Sequence, residues 1–214
     1  MVDAATLGLF LLAVLALFLT PGPNMAFVLS HGVAHGARGG MAAALGIALA
    51  DLAHTLFAVT GITALVSAWA PAFDVLRYAG VVYLLWLAWR ALRAPAGMSA
   101  APTHSAQRFG SIVRSSLVNN LVNPKALLFF LVFLPQFVVP ERGHVGFQLA
   151  VLGVSLAAFA LVFHGLLGAL SGHVSRRLNR SPEASRAQGV VLALVMTGLA
   201  ARLLFLEPPP GKGA

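Results

Sequence analysis

The sequence contains no cysteine, which excludes disulfides, thiolate metal sites and cysteine nucleophiles. Charge is almost as scarce: 9% of its 214 residues are Asp, Glu, Lys or Arg, against about 25% in an ordinary soluble domain. Lysine occurs only at Lys125 and, in the C-terminal tail, at Lys212. There is no H-E-x-x-H helix, no G-x-S-x-G elbow and no P-loop, so no metal, no cofactor and no intrinsic ATPase is expected. Asp51 and His54 alone are too few groups to define an enzymatic reaction. The stretch from Met1 to Thr20 lacks a basic leading region and a small-residue cleavage site, and reads as a retained first helix, not a signal peptide.

What fills the space is apolar. Hydrophobic residues make up 59% of the chain, and the mean hydropathy is +0.88. Six apolar stretches can be drawn, at about 4 to 30, 41 to 67, 73 to 90, 113 to 134, 145 to 170 and 188 to 206, each long enough to cross a bilayer core as a helix of about 20 residues. Period-2 alternation is missing, so a membrane barrel is disfavoured. The expectation is an all-α bundle of six transmembrane helices, one domain over 1–214.

The net charge of +8 points to topology, with no nucleic-acid partner implied, because the basic residues sit between the apolar stretches. Arg38 lies in the first connector; Arg90, Arg93, Arg108 and Arg114 flank the third; Arg176, Arg177, Arg180 and Arg186 crowd the fifth. Asp74, Arg77, Glu141 and Arg142 in the second and fourth nearly cancel. Odd connectors are therefore expected in the cytoplasm and both termini on the opposite side. The third connector, about 95–107, holds Pro95, Gly97, Ser99, Pro102 and Ser105, the composition of a linker between two halves, about 1–94 and 108–214. Three crossings per half would invert the second. Each half opens with a proline-bearing apolar segment, Thr20-Pro21-Gly22-Pro23-Asn24 and Asn123-Pro124-Lys125, and helices broken at matching places in two inverted repeats point to a transporter's binding site.

Proline inside a helix removes a backbone donor and costs about 3 kcal/mol, so Pro21 and Pro23 predict a break, with a new half-helix beginning near Pro23 and capped by Thr20 or Gly22. Its free N–H groups would suit a substrate carboxylate; the plainer reading is a packing kink. Asp51 lies some ten residues into the second stretch, roughly 15 Å deep at 1.5 Å per residue, where a carboxylate must face the bundle interior, protonate or pair. His54, three residues on, shares its face and offers a proton track; a polar clamp between helices is the alternative. Lys125 either neutralises Asp51 as a structural ion pair or binds an anionic substrate group and changes protonation during transport. Asn119, Asn120 and Asn123 add amides before the second break. His164, in the fifth stretch, reads as a hydrogen-bonded interior residue, with another proton carrier as the alternative. Glycines 32, 36 and 40, with 168 and 172, permit close helix approach or a homodimer face. Trp69, Tyr78, Tyr83, Trp86 and Trp89 surround the third helix as interfacial anchors against membrane lipid.

Taken together, T-P-G-P-N-M at 20–25, L-G-I-A-L-A-D-L-A-H at 45–54, Y-L-L-W-L-A-W-R at 83–90, N-L-V-N-P-K-A at 120–126 and F-L-P-Q-F at 133–137 resemble the LysE/RhtB family of amino-acid exporters, in order from about residue 6 to 205. The resemblance implies a bacterial or archaeal inner-membrane efflux protein driven by the proton gradient, with amino acids such as threonine, homoserine, leucine or lysine as the small-molecule substrate. Ala50 departs from the glycine that many relatives carry before the aspartate. The expected mechanism is alternating access around a midplane zwitterion, with Thr20, Pro21, Gly22, Pro23, Asn24, Asp51, Asn120, Asn123, Pro124 and Lys125 around the substrate and Asp51, His54 and Lys125 coupling protons. A channel, an exporter of another solute and a non-transporting assembly subunit are the competing readings.

Overall fold

The computed structural model describes residues 2–19, 22–68, 72–93 and 107–171, with isolated positions between 190 and 201. Thr20, Pro21, Trp69, the linker up to residue 106, Gly172, Arg202 and the fifth connector's arginines lie outside the described residues.

Helix α1, Ala4–Leu19, starts where Asp3 supplies a cap: its Oδ1 accepts from Thr6 N at 2.7 Å and its backbone oxygen from Leu7 N at 3.0 Å. It ends before the first proline cluster. Helix α2 runs Pro23–Ala68, with Pro23 at its first position, the place where a missing N–H costs nothing. Its first backbone bond is donated by Ala26 N to Gly22 O at 2.9 Å. A new helix therefore starts at Pro23, as expected, while Pro21 lies outside the described residues.

Although helical on both sides, α2 is not one rod. Gly36 has φ 65° and ψ −166°, a conformation that residues with a Cβ rarely adopt. A Cβ placed on Gly39 would stand 2.5 Å from His31 O, yet eight residues of continuous helix would separate these positions by about 12 Å. The chain turns back at Gly36, so residues 23–35 and 37–68 form a hairpin. This fold brings Asn24 and Asp51 to similar depth, since they lie about three and about four turns from the turn glycine.

Helix α3 spans Ala72–Arg93 and α4 Phe109–Leu121. After α4 the chain breaks at Val122 and Asn123, and α5, Pro124–Leu128, begins with Asn123 Oδ1 accepting from Lys125 N at 3.0 Å. The two sides of this break are bent by 58°. A π turn at Phe129–Phe133 and a 3₁₀ turn at Leu134–Phe137 follow. Pro135 supplies no N–H and its ring crowds the carbonyl four residues earlier, so the ladder widens before it. Helix α6, Val145–Ala169, closes the described core. Buried Gln148 pins the turn that precedes it, donating Nε2 to Val139 O and Gly143 O and accepting from Val139 N.

Among the described residues every element is helical. α2 and α6 contain helices long and apolar enough to cross a membrane, and the bent pair α4–α5 makes a third candidate span. Large apolar side chains point outward, among them Leu12, Leu56, Phe57, Val162 and Leu166, as lipid-facing positions do. Since lipid is as apolar as leucine, close packing and polar contacts must hold the helices together. Glycine permits that approach: Gly40 and Gly168 meet backbone to backbone, Gly46 lies against Val113 O, and Gly153 against Thr55. Gly32, Gly40 and Gly168 are thus spent within one chain. Phe10, Phe129, Phe133 and Phe137 fill the α1 side, with ring centres 4.6 to 6.4 Å apart.

Two surface contacts join connectors. Arg142 pairs with Asp3, joining the fourth connector to the N-terminus. Gln107 N donates to His35 Nε2 at 3.2 Å, joining the third connector to the first.

Candidate functional site

The two proline breaks meet. Asn24, one residue into α2, donates Nδ2 to Asn120 Oδ1 at 2.8 Å, and its own Oδ1 accepts from Asn123 Nδ2 at 3.1 Å and Asn119 Nδ2 at 3.4 Å. Asn120 is wholly buried and uses every arm of its amide. Its Nδ2 donates to Asp51 Oδ1 at 2.8 Å and to Ile47 O at 3.1 Å. Its backbone oxygen accepts from His54 Nε2 at 3.3 Å. One asparagine from α4 therefore binds the first break, the buried aspartate and the buried histidine at once. Each member of this network has a hydrogen-bond partner, as buried polar groups in an apolar surround require.

Asp51 and His54 share a helix face, as their spacing predicts, but they meet through Asn120 and not each other. His54 also stacks on Phe130, ring centres 5.2 Å apart. The ion pair between Asp51 and Lys125 that the sequence allowed is not formed: the carboxylate's side-chain bond is to the Asn120 amide, while Lys125 Nζ donates to Leu17 O at 3.3 Å, at the end of α1. Both residues instead line one cavity.

That cavity is walled by Gly22, Pro23, Asn24, Asp51, Asn123 and Lys125 on its polar side. Leu17, Phe18, Met25, Ala126, Phe129, Phe130, Leu156 and His164 complete it. Its free space, about 50 Å³, suffices for a few waters. The backbone N–H groups of Asn24 and Met25 precede the first helical bond of α2 and carry the partial positive charge of a helix start. The cavity thus offers an anion-binding side at Lys125 and the α2 start, a cation-binding side at Asp51, and an aromatic wall.

Eight of the ten substrate-site residues named from sequence lie at this junction: Gly22, Pro23, Asn24, Asp51, Asn120, Asn123, Pro124 and Lys125; Thr20 and Pro21 lie outside the described residues. Sequence reasoning missed the apolar wall, because Phe18, Phe129, Phe130 and Leu156 are unremarked among so many apolar residues. It placed His164 in the interior without giving it a cavity. Among the described residues no group of three or more His, Cys, Asp or Glu is arranged to hold a metal ion.

The family model of LysE type translocators matches residues 15–207. A leucine efflux protein of Klebsiella pneumoniae is 32% identical over 202 residues, covering 92% of this chain and 94% of the relative. A leucine efflux protein of Salmonella choleraesuis is 30% identical over 199 residues, with the same coverage of 92% and 94%. A third, from an Enterobacter species, is 32% identical over 190 residues, covering 88% and 90%. No solved structure matches the chain.

Proposed function

The chain belongs to the LysE type translocator family, and from that premise we propose that it exports a neutral amino acid with an apolar side chain by proton-coupled alternating access. A translocator moves its solute unchanged, so the protein is a membrane transporter and not an enzyme. The leucine efflux proteins among its relatives support an amino-acid cargo, and the aromatic wall of the cavity suits an aliphatic side chain.

The observation that carries the reading is the separation of opposite charges on one cavity wall. Were Asp51 and Lys125 only a structural pair, they would bond to each other; instead Asp51 is held by Asn120 and Lys125 reaches Leu17 O. A zwitterion bridges such a pair of poles, its ammonium at Asp51 and its carboxylate at Lys125 and the N–H groups after Pro23. The contacts that join first connector to third, and N-terminus to fourth, support six crossings with the two groups on opposite faces. The arginine-bearing odd connectors then face the cytoplasm of the bacterial inner membrane. Transport follows when the two halves rock about the Asn24–Asn120 junction, and a proton on Asp51 exchanges with substrate there.

The test is counterflow of labelled amino acids into proteoliposomes, with and without a pH gradient. Saturable, gradient-sensitive flux of leucine and its aliphatic neighbours is expected, lost in Asp51→Asn and in Lys125→Ala. Flux unaltered by Asp51→Asn would remove the coupling role of the carboxylate. No amino-acid flux from folded wild-type protein would remove the reading as a whole.

A further inference from the structure

His164 is 2% exposed, on the buried stripe of α6 that also carries Leu156 and Ala160. Its ring packs against Phe18, centres 4.9 Å apart, and against the edge of Phe163 at 5.3 Å. Nδ1 lies 3.0 Å from Ala160 O. A carbonyl oxygen can only accept, so Nδ1 carries the hydrogen, and the other nitrogen of the neutral ring is a bare acceptor. Among the described residues Nε2 meets no protein partner, and the residue lines the cavity that holds Asp51 and Lys125. A hydrogen-bond acceptor has thus been set into an otherwise apolar stretch of wall, with its orientation fixed from behind by a backbone bond.

We infer that His164 contacts the substrate, its Nε2 accepting a hydrogen bond from the ammonium of the bound amino acid. The inference rests on the zwitterion reading above and adds a recognising residue to it. Lys125 Nζ bonds to Leu17 O while His164 packs on Phe18, so both reach the same last turn of α1. An α-amino acid carries its two charges on one carbon, so a carboxylate held at Lys125 brings the ammonium to the adjoining wall. An ammonium has three donors. Asp51 takes one and His164 another, and a ligand without an ammonium satisfies neither. His164 thereby separates amino acids from the carboxylic acids of the same shape that a cell also contains.

The experiment measures binding of L-leucine and of its oxo acid, in which a carbonyl replaces the ammonium-bearing centre, to purified protein in detergent. His164→Phe retains a ring for Phe18 and Phe163 and removes the acceptor; His164→Gln offers an acceptor again. A hydrogen bond to a charged group is worth about tenfold or more in affinity. His164→Phe is expected to weaken leucine by about that factor, leave the oxo acid where it was, and so collapse the preference between them; His164→Gln restores part of it. An unchanged ratio of the two affinities in His164→Phe overturns the inference, whether both stay the same or fall together. Should His164→Phe not fold, His164→Met tests the same ratio with a flexible apolar side chain. Wild-type protein that binds no amino acid would sink the transport reading and this contact with it, whereas leucine binding with an unchanged ratio sinks the contact alone.

Discussion

After Pro23 the chain opens on Asn24, a neutral amide, with Gly22 at the cap position and no side chain to offer there. After Pro124 it opens on Lys125, a cation, with the Asn123 side chain capping the new turn. The same local device, a proline at a helix start, thus ends in different chemistry at the two breaks. The first break contributes backbone donors and an amide that reaches across; the second contributes charge and a built cap. Neither makes a site alone, and Asn120 is the piece that ties them to Asp51. Two proline breaks of the same local kind thus present different poles to one cavity, which is what the proposed zwitterion requires.

The most damaging way to break this relation is Asn120→Ala. It removes side-chain bonds to Asn24, Asp51 and Ile47 O together and leaves a buried carboxylate without its amide. At about 1 kcal/mol for each lost bond and about 1–3 more for the unsatisfied acceptor, the expected loss is about 5 kcal/mol of stability. Thermal unfolding in detergent should show a large fall in midpoint. A midpoint within a degree or two of wild type would mean that the junction is not structural.

Next in size is Lys125→Asn, which gives the second break the neutral chemistry of the first. The cap and the bend should survive, because Asn123 Oδ1 bonds to the backbone N–H of residue 125 and not to its side chain. Transport should fall about 100-fold, as expected for a lost charge-assisted contact of about 3 kcal/mol, with a smaller fall in melting from the lost bond to Leu17 O. Counterflow and unfolding measured on one preparation would separate this from a folding defect.

Asn123→Ala sharpens the comparison from the other side, since it strips the second break of the cap that the first never had. Loss of a cap costs about 1 kcal/mol, and loss of the bond to Asn24 at 3.1 Å a similar amount. Affinity should weaken several-fold while the ion gradient still drives flux. An effect as large as that of Lys125→Asn would make Asn123 a direct ligand.

The pattern of what could be read from sequence follows the range of the forces involved. Proline acts on its own turn, so both breaks could be placed from Pro23 and Pro124 with no knowledge of packing. Asp51 could be given a depth because bilayer thickness and helix rise are fixed lengths. Its partner could not be named: Asn120 lies 69 residues away in the chain, and only the meeting of α2 with α4 brings the two together. Lys125 was as good a candidate by charge, and the amide won by position. Glycine misled for a related reason. The four-residue spacing at 32, 36 and 40 suggested one packing face, but Gly36 is a turn, while Gly32 and Gly40 pack on α6 from opposite sides of it. The π turn after Leu128 was hidden as well, since the strain from Pro135 is relieved upstream of the residue that causes it.

The smallest effect is expected far from the breaks, where Asp3 joins the start of α1 to the fourth connector. Its carboxyl is held below the usual carboxylate range, first by the backbone N–H of Thr6 and then by the Arg142 guanidinium. A depressed folded-state value contributes stability that is present above the unfolded value, about 3.9 for Asp, and is lost as pH falls through the folded one. No change in melting is therefore expected from this group between about pH 5 and 8, and a decline only in strong acid. The pair is solvent-exposed, so water and salt screen most of its attraction. Asp3→Asn should lower the melting midpoint slightly at neutral pH and flatten the acid limb of the curve, leaving leucine affinity untouched. If it altered affinity as much as Asn123→Ala, the N-terminal end of α1 would be coupled to the cavity along the length of the helix.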